Sequence, residues 1–216
     1  MNTTENQRKN RFCDYKETGL VYHVTNIMDL KEIMENGLKT NLSCNERYTE
    51  FNRYFDSLKP QDIPHWVKRS TAIYGSLNFK IEHYWHSHSA LLAFNINEDE
   101  CWIGNENSAN IFYEPFILQD IGVFKYAKEL VKTRGSQWVR NYWNNSLSFK
   151  KNLKDRRDFE EGYDAEVLIM HDIPPKDIRI VKIVSDHCSM NISEWDEKFL
   201  YMSKGSPKGC PNYFRS

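Results

Sequence analysis

The stretch Gly162-Tyr163-Asp164-Ala165-Glu166-Val167-Leu168-Ile169-Met170, closed by His171-Asp172-Ile173-Pro174-Pro175, decides how the rest of the chain is read. From Ala165 to Ile169 the pattern is that of a strand interior, yet a carboxylate stands inside it. Side chains two apart on a strand share a side, so Glu166 lies with Leu168 and Met170. An ionised carboxylate there is costly without a polar partner or an open cleft. Glu166 is therefore either an edge position facing water or an active-site acid.

Far upstream, Leu20-Val21-Tyr22-His23-Val24-Thr25 is β-branched and aromatic, as a short buried strand should be. Asn26 follows as the expected N-cap of a helix in which Ile27, Leu30, Ile33, Met34 and Leu38 form one apolar stripe, and Gly37 is its stop signal. His23 thus stands where a strand runs into a helix N-terminus, a place that suits an anionic or polar ligand; a core histidine bonded to the backbone fits the position equally well.

Outward from these two anchors the readings are coarser. Residues 41–68, with Pro60 and Pro64, read as a long loop with one helical turn. Thr71 to Phe79 reads as a strand interrupted by Gly75, which marks a bulge or a close backbone approach. Ala90 to Ile96 is a further strand, whereas 101–116 is ambiguous. Leu118 to Thr133 has helical spacing closed by Gly135, with another helix over 136–144. Ile178 to Val184 reads as a strand and residues 193–200 as a short helix. The expected organisation is one domain over residues 1–216, with 1–17 a polar arm and 202–216 a flexible Gly/Pro-rich tail.

Composition narrows the function classes. The chain has 216 residues, and 29 Lys+Arg stand against 30 Asp+Glu, so its overall charge gives no argument for nucleic acid or membrane. Cys13, Cys44, Cys101, Cys188 and Cys210 are scattered and odd in number, which rules out a fully paired disulfide framework and predicts free thiols in a reducing cytoplasm. No run approaches the ~18 apolar residues of a membrane helix, and the N-terminus lacks the apolar core of a secretory signal. A soluble, cytoplasmic protein is expected.

Familiar catalytic signatures are missing. There is no nucleophile elbow, Walker loop or dinucleotide-binding glycine fingerprint. His83-x-x-His86-x-His88 has metal-ligand residue types but lacks a fourth ligand and the usual helical context, so no metal is expected. His187-Cys188 is a poor nucleophilic pair, since sequence neighbours rarely face each other.

The order of parts is more informative. Leu20-Val21-Tyr22-His23-Val24-Thr25-Asn26-Ile27 with Ile33-Met34-Glu35-Asn36-Gly37-Leu38, then Tyr74 and Ser76, then Arg156-Arg157-Asp158-Phe159 leading to Asp164-Ala165-Glu166-Val167-Leu168-Ile169, resembles the ADP-ribosyltransferase superfamily, and within it the DarT-like toxins that modify nucleic acid bases. The resemblance implies an α+β fold with a split β-sheet core, flanking helices and a long NAD-binding loop. It puts the family's catalytic glutamate on Glu166 and its first-motif histidine on His23. Tyr22, Val24, Thr25, Tyr74 and Ser76 complete the expected NAD-binding set, with Tyr74 stacked on the nicotinamide ring. Arg69 is the match for the loop arginine that pairs with phosphate or orients NAD, with Arg47 and Arg53 as alternatives.

Such enzymes often carry Gln or Glu two residues before the catalytic glutamate; this chain has Asp164, which implies a role in choosing the acceptor. The basic residues Lys150, Lys151, Lys154, Arg156 and Arg157 lie just upstream and are candidates to meet the phosphate backbone of single-stranded DNA or RNA, against a solvated loop. Trp138, Tyr142 and Trp143 are either base-stacking surfaces or a core stripe. The implied activity uses NAD as substrate, with an antitoxin protein as a possible partner. An enzyme of the same fold acting on protein side chains, an RNA 2'-phosphotransferase and a catalytically silent binding module are the other readings. If Glu166 is a cleft carboxylate, its removal should cost little stability.

Overall fold

A computed structural model describes residues 10–41, 45–186 and 188–203. Their helices and strands alternate as α1 (Tyr15–Thr18), β1 (Val21–Asn26), α2 (Leu30–Asn36), α3 (Glu46–Ser57), β2 (Ile73–Ser76), β3 (Ser89–Phe94), β4 (Cys101–Asn105), α4 (Glu106–Leu118), α5 (Lys125–Asn144), β5 (Leu147–Ser148), α6 (Phe149–Asp155), β6 (Ala165–Ile169), β7 (Arg179–Ser185), β8 (Cys188–Met190) and α7 (Ile192–Ser203). The strands form one 8-stranded sheet in the order β5-β4-β6-β2-β1-β3-β7-β8, and every neighbouring pair is antiparallel. The chain is thus α+β.

β6 lies in the interior of the sheet. Val167 and Ile169 point to one side, into a core shared with Val21, Ile73, Leu92, Ile103 and Phe149. Leu168 points to the other, into a core built by Phe51 and Phe55 of α3, Phe112 and Phe116 of α4, and Val139, Tyr142 and Trp143 of α5. A smaller cluster of Tyr22, Trp85, Leu91, Ala93 and Val184 is packed by Phe12 and Phe79. Its strand residues join the Leu168 side of the sheet through the register Ser76 to Tyr22 to Ala93.

β1 is bound very unequally by its neighbours. Six register pairs hold it to β3, from Val21 opposite Phe94 to Asn26 opposite Ser89, whereas Tyr22 opposite Ser76 is the one pair with β2. Gly75 sits at this narrow junction: a Cβ there would lie 2.6 Å from Val21 Cγ1 and 3.1 Å from the Tyr22 carbonyl, the close approach that a glycine inside a strand predicts.

Several expectations change. Residues 46–57 form a helix of 12 residues rather than part of a loop, because Tyr48, Phe51, Phe55 and Leu58 recur at helical spacing and pack on α4 and α5. Asn26 accepts a hydrogen bond from the Met28 N–H at 2.9 Å, and α2 begins only after Asp29; Gly37 does end it, with φ of 80°. Gly135 does not close a helix. It lies buried within the 20-residue α5, and a Cβ there would come within 3.0 Å of Phe112, so it lets α4 and α5 approach.

At the N-terminus, residues 10–17 are packed rather than frayed. Phe12 stacks on Tyr22 with ring centroids 4.4 Å apart, and Asp14 caps α1 by accepting from the Lys16 N–H at 2.9 Å. Residues 1–9 of the expected arm and 204–216 of the expected tail lie outside the described residues, as do Cys44, His187 and Cys210; residues 202 and 203 close α7. Cys13 and Cys101 are free thiols. Among the described residues no helix is long and apolar enough to cross a membrane.

Candidate active site

Glu166 is not an edge residue. β6 runs between β4 and β2, with Glu166 opposite Gly104 on one side and Ser76 on the other, and the residue is 6% exposed. Its carboxylate is paired with the guanidinium of Arg69, which is 3% exposed. Arg69 reaches it from the 3-10 turn Arg69–Thr71 that leads into β2. That turn is fixed by Asp56 of α3, whose carboxylate accepts from the Arg69 and Ser70 N–H groups at 2.8 and 3.0 Å.

The guanidinium is enclosed on every side. Its Nε donates to Asn52 Oδ1 at 3.1 Å, and its carbon lies 4.6 Å from the Tyr142 ring centroid, 4.8 Å from Phe55 and 5.3 Å from Tyr74. The Tyr74 hydroxyl donates to the Arg69 carbonyl at 2.6 Å. Burial opposes the charged form of Arg69, but the Glu166 carboxylate more than offsets it and holds the group well above its ordinary range. Burial pushes the Tyr74 and Tyr142 phenols up, so both are neutral donors at physiological pH. The Tyr142 hydroxyl makes no hydrogen bond of ordinary geometry, although it lies at the Glu166 end of the box, where a Cβ on Gly104 would fall 2.1 Å from it.

His23 stands where β1 and β2 have only their single register pair. Its Nδ1 contacts the Tyr74 carbonyl at 2.6 Å, and since a carbonyl only accepts, the proton is on Nδ1. Burial lowers the imidazole's pKa against the opposing effect of that bond, which leaves a neutral ring with Nε2 as an acceptor. Tyr22 is buried in its aromatic cluster and pairs with Ser76, while Val24 is exposed and Thr25 half-buried, further along β1. His23, Tyr74, Arg69 and Glu166 are therefore joined through one chain of contacts.

A cleft of about 210 Å³ opens at the ends of β2 and β6. Ser76, Asp164 and Ala165 line it, and Phe79, Phe159 and Tyr163 give it aromatic walls. Its charged lining is mostly acidic, with Asp14, Glu82, Glu106, Asp158 and Asp164 against Lys80 and His83. Asp14 and Asp158 are both taken up by Arg156. Asp164, two residues before Glu166, is exposed.

The basic run is largely neutralised. Lys150 pairs with Asp99 at 2.7 Å, Lys151 with Asp155, Arg157 with Glu160 at 3.8 Å, and Arg156 with Asp14 and Asp158. Lys154 is exposed on α6. Tyr142 and Trp143 are core residues, 0% and 1% exposed, and Trp138 packs against the same cluster. The alternative arginines lie elsewhere: Arg47 pairs with Glu50 and Asp120, and Arg53 is exposed on α3. Among the described residues no group of three or more His, Cys, Asp or Glu is placed to hold a metal ion.

No family model, curated protein or solved structure matches this chain. The site therefore stands on its own geometry. Three of its residues escaped the reading of the sequence as site members. Asn52 and Phe55 are on the helix mistaken for loop; their spacing from Tyr48 was the signal. Glu106 follows β4 directly and carries no motif.

Proposed function

We propose that this protein is an NAD-dependent mono-ADP-ribosyltransferase that modifies a base of single-stranded DNA or RNA, acting as a toxin or phage-defence effector. The observation that carries this reading is the buried Glu166 carboxylate, held by Arg69 in the interior of the sheet, on a strand whose first residue, Ala165, lines a cleft with aromatic walls. Buried ion pairs seldom raise stability over apolar residues of similar volume, so a fold alone has little need of this one. Breaking the nicotinamide-ribose bond builds positive charge on the ribose, and an oriented carboxylate in a dry site stabilises that charge. Glu166 takes this role, with Arg69 setting its orientation and Tyr142 packed against the Arg69 guanidinium. His23, neutral and with Nε2 free to accept, holds a ribose hydroxyl.

The cleft's chemistry suits one half of NAD better than the other. The nicotinamide ring is a flat cation before cleavage, and Phe159, Tyr163 and the carboxylates Asp164 and Glu106 complement it. For the diphosphate the cleft offers Lys80 and His83, since Arg69 is engaged by Glu166. NAD carrying a label on its adenylate, incubated with the protein and single-stranded DNA, RNA or lysate protein, should label a nucleic acid, and Glu166→Gln should abolish the labelling. Absence of both nicotinamide release and labelling with every acceptor would reject the reading in favour of a silent binding module.

A second reading has a specific observation behind it. The charged lining of the cleft near Glu166 is mostly carboxylate, and four members of the basic run are ion-paired, so a cationic protein side chain is also a suitable acceptor. Label on lysate protein and none on nucleic acid would select it.

A further inference from the structure

Glu106 is the first residue of α4, the 13-residue helix that begins where β4 ends. The register places Gly104 opposite Glu166 and Asn105 opposite Ala165, and the Glu106 N–H donates to the Asp164 carbonyl at 2.8 Å. Glu106 is thereby pinned beside the catalytic strand at the height of Asp164 and Glu166. Unlike Glu166, it lines the cleft. It is half-buried, and the charges that reach it are Glu166 from β6, Asp164 just before that strand and Arg69 from the turn before β2. Lys80, Glu82 and His83 also line the cleft, as do Asp14 and Asp158, which are both paired with Arg156.

We infer that Glu106 is the general base of the transfer, the group that takes the proton from the acceptor. The inference rests on the transferase reading of the same site. Two carboxylates in unlike surroundings divide the work: Glu166, buried behind the cleft and locked to Arg69, stabilises the ribose charge through its field, and Glu106, open to the cleft, exchanges protons. In the step itself the bond between the ribose anomeric carbon and the nicotinamide nitrogen breaks, and its electron pair stays on the ring and discharges the pyridinium. The acceptor's lone pair forms the new bond to the anomeric carbon. Its proton passes to a Glu106 carboxylate oxygen and from there to water in the cleft, so one proton is released per turnover. Burial first, then the Glu166 and Asp164 carboxylates, raise the Glu106 pKa above the ordinary carboxyl value of 4.5, against the Asn110 hydrogen bond and Arg69. A base raised toward the working pH is better matched to abstracting a proton.

The test uses the full chain with NAD and the labelled acceptor found for the wild type, and measures label transfer and nicotinamide release between about pH 5 and pH 9. Wild-type transfer should rise with pH along a limb that belongs to Glu106. Glu106→Gln should lose that limb and lower the ratio of transfer to nicotinamide release by about 100-fold. Glu106→Asp, which keeps the carboxylate on a shorter arm, should restore part of the ratio and the limb. Thermal melts of both variants guard against misfolding. Wild-type activity together with an unchanged ratio and limb in Glu106→Gln would overturn the assignment alone. Wild type without nicotinamide release or transfer would overturn the transferase reading, and this assignment with it.

Discussion

Arg69 and Glu166, 97 positions apart in the chain, meet as an ion pair in which neither side chain is more than 7% exposed. Removing Glu166 therefore does not relieve a strained cleft, contrary to what a carboxylate on an apolar strand suggests by itself. It leaves the Arg69 charge buried among Phe55, Tyr74 and Tyr142. Glu166→Ala should lose about 3–5 kcal/mol in urea unfolding, whereas Arg69→Met combined with Glu166→Leu should lie close to wild type. A wild-type midpoint for Glu166→Ala would mean that the pair is open in solution.

Tyr142→Phe removes a buried hydroxyl that has no hydrogen bond of ordinary geometry. Stability should stay level or rise by about 1 kcal/mol, since no good bond is lost. If the hydroxyl orients Glu166, NAD cleavage should fall by about 10-fold in the same variant. Unchanged cleavage with unchanged stability would reduce Tyr142 to packing.

Gly104 is opposite Glu166, and a Cβ there meets the Tyr142 hydroxyl at 2.1 Å and its ring carbons at 2.6 and 2.8 Å. Gly104→Ala should cost about 1–3 kcal/mol through overpacking and push Tyr142 away from the carboxylate. Tyr142→Phe in the same chain should recover part of the loss, because the nearest clashing atom is then gone; a double-variant cycle without coupling would contradict this.

Arg156 ties the N-terminal segment to the approach of β6. It pairs with Asp14 and with Asp158, and its carbon lies 3.9 Å from the Phe159 ring centroid. Arg156→Ala should cost about 3 kcal/mol, the low end for removing one partner of a buried pair. Burial pushes the Asp14 carboxyl up, but its bonds to Arg156 and to the Lys16 N–H prevail and hold it below its ordinary 3.8. A lowered folded pKa contributes stability that is complete above the unfolded value and is lost as pH falls through the folded one. The gap between wild type and Arg156→Ala should accordingly narrow below about pH 4, which acid unfolding curves would reveal.

For Glu106 the sign is opposite. A carboxyl whose pKa is raised on folding costs stability above its unfolded value, and the cost vanishes once pH falls below that value. Glu106→Gln should thus melt higher than wild type at neutral pH and converge with it in acid. A lower melting temperature at neutral pH would show that the ionised group is stabilised in the fold.

Local pattern was enough for much of the architecture. The apolar runs around Val21, Ala90, Val167 and Ile180 became strands because short apolar runs and flanking turn residues act within a few positions, and Gly37 and Gly75 were read from their own neighbourhoods. Gly135 was misread because a glycine that ends a helix and one that lets two helices touch look alike without the partner, here Phe112. The helix at 46–57 was missed because its aromatic stripe is diluted by polar residues, and its stability comes from α4 and α5, which lie distant in the chain.

By itself, the sequence determined that Glu166 would lie on a strand, on the side of Leu168, and that His23 would lie on a strand leading into a helix. Only the tertiary structure decided that β6 is interior, that Arg69 and not solvent answers the carboxylate, that Lys150 to Arg157 is mostly spent on carboxylates, and that Glu106 stands beside Glu166. The physical reason is range. Periodicity and capping are set by neighbours along the chain, whereas the cost of a buried charge is met by whichever residue the packed fold brings within reach.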